Sequence, residues 1–363
     1  MKSNIRIGII GSGGIARAHA KAYKKIPGVD IVAVADVVPG KAAQFIADQE
    51  LTSAAAFEDH NRLLELDLDG VSVCTPNVAH HRASIDALEA GKHVLVEKPL
   101  AVTLQQGVEM AQASKRTGKM LSVGFQPRYD PNMVAIKELV QSGRLGKVYY
   151  VETGGGRRRG MPGGTFIKKE LAGAGAMADI GCYSLDMALN ALGYPKPLTV
   201  SAVTANYFGT NPKYHKEAAG FEVEDFGAAF IRLEGDITLQ FKISWAMHMD
   251  TLGASYFLGT DAGLKVTTPY NGSPWNGVWD GGVGSITLYH DEIGRHAETV
   301  IPVLQHQVDR FFEKVNDFVN AIREDRPAPI PAEQILFNQA IIDGILRSSE
   351  TRHEVDIVIP DLS

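Results

Sequence analysis

Short apolar runs alternate with helix-length stretches along the first third of this chain, and that alternation constrains the fold more than any other feature. Ile5–Ile10, Ile31–Ala35, Val71–Cys74, His93–Val96 and Met120–Val123 are dense in Val, Ile and Leu, as strands buried on both faces are. Between them lie Ile15–Ile26, Lys41–Gln49, Asp59–Leu66, His80–Ala90 and Thr103–Thr117. Repeated strand–helix–strand units require right-handed crossovers and a parallel sheet covered on both faces. Residues 1–124 are therefore expected to form one α/β domain with a doubly wound parallel sheet.

The remainder has another texture. Ile237, Leu239, Phe241, Ile243 and Trp245 alternate with Thr238, Gln240, Lys242 and Ser244, the period of a strand with one buried face. This predicts a mostly antiparallel sheet in an α+β domain over 125–363, with the boundary near Gly124–Pro131, where two prolines punctuate the chain. Val308, Phe311, Val315, Phe318 and Ile322 recur at helical spacing, and Glu333–Ser349 reads as a further helix. Two Gly-rich loops, Thr153–Gly164 and Asn271–Gly284, interrupt this part.

Composition excludes several classes. At 363 residues, 45% hydrophobic and 21% charged, the chain has the profile of a globular protein with an ordinary core. Lys and Arg total 36 against 42 Asp and Glu, a formal charge of -6 with no long basic run, so nucleic acid is not an expected partner. Cys74 and Cys182 form neither a disulfide framework nor a zinc site. No membrane span or signal peptide is expected, and a cytoplasmic location fits.

Gly11-Ser12-Gly13-Gly14-Ile15-Ala16 follows the first strand and opens a helix, matching the G-x-G-x-x-G/A fingerprint of dinucleotide sites. Gly11 permits the tight turn, Gly13 lets the backbone approach a pyrophosphate, and Ala16 lets helix and strand pack closely. Free N–H groups at the helix start attract phosphate. Asp36 ends the second strand about 20 residues on, where a carboxylate accepts the ribose hydroxyls of an adenosine. Its charge opposes a 2'-phosphate and no arginine adjoins it, which favours NAD over NADP. Thr75-Pro76-Asn77 ends the next long strand at the same carboxyl edge, and His80 serves as a cap or a ligand contact.

Glu97-Lys98-Pro99 ends the following strand at that edge, where Lys98 points into the cleft expected to hold the nicotinamide or, taken by itself, forms a surface ion pair. Further on, Asp179, Tyr183, Asp186 and Asn190 stand at i, i+4, i+7 and i+11, within about 60° of one another on a helix. Leu185, Ala188, Leu189 and Leu192 take another face. By spacing alone, this polar stripe is a solvated surface as readily as a site.

Taken together, Gly11-x-Gly13-x-x-Ala16, Asp36, Thr75-Pro76, Glu97-Lys98-Pro99 and Asp179-x-Gly181-x-Tyr183-x-x-Asp186 resemble the glucose-fructose oxidoreductase / inositol dehydrogenase / MocA family over essentially the whole chain. The resemblance implies an N-terminal Rossmann domain binding NAD. It also implies a C-terminal domain with a large open sheet that supplies the substrate site and the oligomer interface. Cofactor contacts are expected from Gly11, Ser12, Gly13, Gly14, Ile15, Asp36, Thr75, Pro76, Asn77, His80, Glu97, Lys98 and Gln126. Lys98, Tyr183 and Asp179 are the implied catalytic residues, and with Arg158 the implied substrate contacts; no metal is expected.

Many family members carry histidine where this chain has Tyr183. A phenol has an ordinary pKa near 10, so the site must supply roughly 4 kcal/mol to use phenolate at neutrality, and a nearby ammonium, Lys98, is the implied means. The leading expectation is an NAD-dependent oxidoreductase that moves a hydride between a sugar, sugar derivative or cyclic polyol and nicotinamide. Redox-assisted glycoside cleavage, internal sugar redox on tightly held NAD, and a non-catalytic NAD-binding regulator share the motifs. A homodimer or homotetramer is expected. Arg157, Arg158 and Arg159 read equally as a substrate loop or a solvated cluster. Arg128 stands where it could reach the pocket, and Trp275 and Trp279 read as sugar platforms or, preferably, subunit packing.

Overall fold

The computed structural model of the protein describes residues 4–250, 252–267, 275–277, 283–304 and 308–362. Trp279 and the side chain of Trp275 lie outside the described residues.

The first 126 residues build a six-stranded parallel sheet from β1 (Ile5–Ile10), β2 (Val29–Ala35), β3 (Ala55–Phe57), β4 (Gly70–Val73), β5 (His93–Val96) and β6 (Leu121–Val123), in the order β3-β2-β1-β4-β5-β6. The intervening helices are α1 (Gly14–Tyr23), α2 (Lys41–Asp48), α3 (His60–Leu64), α4 (His80–Glu89) and α5 (Leu104–Thr117). Ile5, Ile7 and Ile9 are fully buried, as strands sandwiched between helix layers require. The order reverses at β1/β4, the switch point where open parallel sheets bind ligands beyond their carboxyl ends. Within this sheet only β3 carries no strand pattern in the sequence: its three residues are too few and its two alanines are exposed.

The second unit contains α6 (Pro131–Gln141), β7 (Val148–Arg157), α7 (Lys169–Ala172), α8 (Cys182–Leu192), β8 (Pro197–Ala205), β9 (Phe226–Leu233), β10 (Ile237–Ser244), β11 (Ser255–Gly259), β12 (Ala262–Val266), β13 (Trp275–Gly277), β14 (Ile286–Glu292) and β15 (Arg295–Ile301). After α9 (Arg310–Glu324) and α10 (Ala332–Thr351), β16 (Val355–Asp356) completes a ten-stranded sheet. Its pairings are antiparallel except β10 with β7. The period-two reading of 237–245 holds: Leu239, Phe241, Ile243 and Trp245 are fully buried, while Gln240 and Lys242 stand on the other face. Part of the second Gly-rich loop is strand: the main chain of Trp275–Gly277 pairs with Gly155–Arg157 of β7.

The division of the chain differs from a single cut at 124. The first unit ends at Gln126 and takes back 309–336 and 360–363, while 127–308 and 337–359 form the second. The reason is apolar: Val315, Phe318, Val319 and Ala321 of α9 are buried in the same core as Ile5, Ile7, Ile9 and Tyr23. Helical spacing identified the buried stripe but not the surface that covers it.

Candidate active site

The dinucleotide fingerprint folds as its residues require. Gly11 has φ +89°, and a Cβ there would stand 2.7 Å from the Cys74 carbonyl oxygen, so only glycine makes this turn. Ala16 is fully buried where α1 meets the sheet. At Gly13 and Gly14 a Cβ would meet nothing within 4 Å, so the start of α1 opens on free space, as phosphate approach needs. Ser12 is turned inward: its backbone N–H and hydroxyl donate to Asp36 Oδ2 at 2.9 and 2.6 Å.

Asp36 also accepts from the Val38 N–H at 3.1 Å, and the Lys41 ammonium lies 3.2 Å from Oδ2. Burial alone would raise this carboxyl, but the hydrogen bonds from Ser12, Val38 and Lys41 outweigh it and hold it below the usual range. A cavity of about 330 Å³ opens here, lined by Ile10, Asp36, Val37, Val38, Thr75 and Pro76 among others. Thr75 Oγ1 is buried without a hydrogen-bond partner, and Val37 is 80% exposed at the lip. An unanswered hydroxyl, an uncovered apolar side chain and an ionised carboxylate fit the phosphate, base and ribose of an adenine dinucleotide.

His80 and Glu97 have interior partners. His80 is 1% exposed, and its Nδ1 and Nε2 lie 2.8 and 3.1 Å from the carbonyl oxygens of Pro99 and Thr75. The ring thus lies between the Thr75-Pro76-Asn77 turn and the segment after Lys98, and when neutral it donates to one of the two carbonyls. Burial pushes its pKa down. Glu97 is 5% exposed and accepts from His19 Nε2 at 2.7 Å and from the Lys314 ammonium. Burial alone would raise the Glu97 carboxyl, but Lys314 and His19 hold it far below the usual carboxylate range. Lys98, next in sequence, is half-buried at the carboxyl edge of β5. Gln126 begins a short 3₁₀ turn, Gln126–Tyr129, after β6.

In the second unit the Asp179–Asn190 stripe differs from the even helix expected. Met177–Gly181 forms a π-helical turn, and α8 begins only at Cys182; single π turns are over-represented at functional sites. The middle of the stripe is not solvated, since Tyr183 is 8% and Asp186 3% exposed, while Asp179 and Asn190 are partly exposed. The Glu224 carboxylate accepts the N–H groups of Gly175 and Met177 at 2.7 and 3.0 Å. A Cβ at Gly175 would collide with the Glu224 carbonyl oxygen, so glycine alone allows this approach. Asp179 is fixed from β7 and from the residue after β10: the Trp245 indole N–H donates to Oδ2 at 3.0 Å, and an Arg157 nitrogen lies 3.8 Å from the same oxygen. Tyr183 stands one turn further along.

The three consecutive arginines divide their tasks. Arg157 is buried beside Asp179 and donates to the Gly160 carbonyl at 2.7 Å, whereas Arg158, the expected substrate contact, is exposed. Arg159 stacks on Phe208 and Tyr214, at 5.0 and 5.2 Å from their centroids, and donates to the Met247 carbonyl. Arg128 forms a two-pronged pair with Asp186, Nε–Oδ2 2.8 Å and Nη2–Oδ1 2.7 Å, which Tyr194 joins. Arg128, whose position in the sequence was also compatible with reaching the pocket, is engaged in this buried pair. Trp245, Glu224 and Arg157 are the residues that sequence reasoning missed as supports of Asp179. Only the tryptophan ending the alternating strand carried a signal, as a polar handle that must find an acceptor once buried.

Comparison with known proteins decides the family. A model described as the oxidoreductase family with an NAD-binding Rossmann fold matches residues 5–125, and the GFO/IDH/MocA C-terminal domain model matches residues 133–265. The chain belongs to the glucose-fructose oxidoreductase / inositol dehydrogenase / MocA family. The Rossmann unit is accordingly an NAD-binding domain. Among family members, the D-glucoside 3-dehydrogenase of Escherichia coli K12 is 29% identical, the alignment covering 98% of each chain. The inositol 2-dehydrogenase/D-chiro-inositol 3-dehydrogenase of Lactiplantibacillus plantarum is 39% identical over 39% of this chain and 41% of its own. The structure of a levoglucosan dehydrogenase in complex with NADH shares the fold, with TM-score 0.82 and 21% identity over 98% of this chain and 99% of that one. No helix among the described residues is long and apolar enough to cross a membrane.

Proposed function

We propose that this chain is an NAD-dependent dehydrogenase acting on a hydroxyl of a sugar, sugar derivative or cyclic polyol. The observation that carries the reading is the placement of Lys98 directly after β5, at the carboxyl edge of the sheet where the cavity beside Asp36 and Thr75 also opens. The names of the glucoside and inositol dehydrogenases among its relatives supply the substrate class.

Lys98 donates to the reacting hydroxyl oxygen and favours its alkoxide, and Tyr183 takes the hydroxyl proton. When bound, NAD supplies the acceptor for the carbon-bound hydrogen, which leaves as hydride. Asp179, held by Trp245 and beside Arg157, binds a neighbouring hydroxyl and so fixes which carbon reacts. Arg157 is the arginine of its loop best placed to support this carboxylate, and Arg158 extends contacts outward. The sequence motifs that carry Lys98 and Tyr183 support this pairing. Asp36, held ionised, opposes a 2'-phosphate, and the charge of Lys41 beside it is already answered by Asp36 itself, so NAD is preferred over NADP.

A panel of monosaccharides, inositols and glycosides, each assayed with NAD and with NADP, tests the reading. Net NADH formation with at least one of them is expected. Conversion of a sugar without net NADH would instead favour internal redox on retained cofactor, and binding without any conversion a regulator. The open face of the large sheet presents Val203 and Phe230, 61% and 43% exposed, and we assign it to association into a homodimer or homotetramer.

A further inference from the structure

Buried inside the first unit is a chain of polar side chains that the proposed chemistry does not use. Tyr23, His19 and Ser72 are fully buried, and Lys314 is 1% exposed. Tyr23 OH lies 2.7 Å from Ser72 Oγ, Ser72 Oγ 3.0 Å from His19 Nδ1, and His19 Nε2 2.7 Å from Glu97 Oε1. The Lys314 ammonium meets that same carboxylate oxygen, lies 3.1 Å from His19 Nε2, and faces the ring of Phe311 at 5.0 Å.

The proton positions follow from the chemistry of the members. Glu97 is ionised and only accepts, so His19 Nε2 carries its proton toward it. Burial and the neighbouring Lys314 keep the His19 ring neutral, so Nδ1 accepts. Ser72 then donates to His19, and Tyr23 donates to Ser72. Every donor in the relay points toward Glu97, and the ammonium of Lys314 supplies its opposing charge. An uncompensated carboxylate at this depth would be costly, so Lys314 determines whether Glu97 remains where it is.

The relay joins the segments that form the cofactor edge. His19 and Tyr23 belong to α1, which the fingerprint opens; Ser72 belongs to β4, which leads to Thr75-Pro76; and Glu97 precedes Lys98 at the end of β5. Lys314 comes from α9, outside both stretches matched by the family models. We propose that Lys314 is a positioning residue: by holding Glu97 it locks α1, β4 and the end of β5 together, and so fixes Lys98 and the cofactor-binding turns from a distant segment. The inference rests on the reading of Lys98 as a group that touches substrate and cofactor.

The test uses the full chain with Lys314→Met, of similar length and without charge, and the double variant Lys314→Met/Glu97→Gln, which removes both charges at nearly constant volume. Thermal midpoint, calorimetric NAD affinity, and kcat and KM for a substrate found in the panel are compared with the unsubstituted protein. The single variant is expected to melt at lower temperature. The double variant is expected to regain most of its midpoint, yet to bind NAD about tenfold more weakly and to lose about tenfold or more in kcat, as small misplacements of reacting groups do. A double variant with a restored midpoint and with NAD affinity and kcat within about twofold of normal would overturn the proposal. So would failure of both variants to fold, which would make Lys314 a determinant of the fold alone. NAD affinity is read without substrate, so the absence of any oxidised polyol would sink the dehydrogenase reading and leave this comparison intact.

Discussion

At the scale of single residues, the ionisation of several buried side chains is set by burial and interior partners. Glu97 is kept ionised by Lys314 and His19, and its pKa is lowered; burial lowers those of His19, His80 and His93. A histidine that stays neutral when folded takes up a proton when unfolded below its ordinary pKa of about 6.5, so its contribution is full above that value and is lost as pH falls. Glu97 adds a similar loss below about pH 4.3. Glu224 and Asp225, whose carboxyls burial raises, oppose the trend, because the folded state holds their protons more tightly. Calorimetry between pH 7 and pH 5 is expected to show a falling thermal midpoint, with a flatter slope in His19→Gln. An equal slope in that variant would show that His19 does not carry the effect. Motif positions such as Gly11, Asp36 and Lys98 were legible because their spacing is local. Their partners were not: Lys314 lies 217 residues from Glu97 and Trp245 66 residues from Asp179, separations that only packing connects.

At the scale of elements, the Asp179–Asn190 segment shows how spacing misleads. An even helix with a polar stripe left open whether that stripe is a solvated surface or a site. The structure inserts a π-helical turn at Met177–Gly181, held at its start by Glu224, and buries Tyr183 and Asp186 of the stripe. Asp186 then needs a partner and finds Arg128, with their side chains 4% and 11% exposed. Arg128→Met leaves Asp186 without its countercharge and is expected to cost roughly 3–5 kcal/mol in denaturant unfolding. Arg128→Met/Asp186→Leu is expected to recover at least half of that loss. A single variant as stable as the parent would show that the pair contributes little. The parallel strands were legible because burial on both faces leaves only apolar residues, whereas three-residue β3 was too short to carry any pattern.

At the scale of the whole molecule, the sequence separated a nucleotide unit from a second, sheet-rich one, but it could not show that 309–336 rejoins the first. An amphipathic helix specifies that one face is covered and leaves open by what. The outer face of the second sheet raises the same question, and the proposed association in solution is the answer to be tested. Light scattering is expected to give a dimer or tetramer, and Phe230→Glu to shift it toward monomer; a monomeric parent protein would contradict that assignment. In the proposed function, a proton-accepting tyrosine completes the chemistry of the NAD edge. The most direct measurement is steady-state turnover of Tyr183→Phe on the sugar or polyol found in the panel, with NAD affinity measured in parallel. A fall in kcat of about a hundredfold or more with NAD affinity unchanged is expected, and near-normal turnover in Tyr183→Phe would overturn the proposed role of this tyrosine.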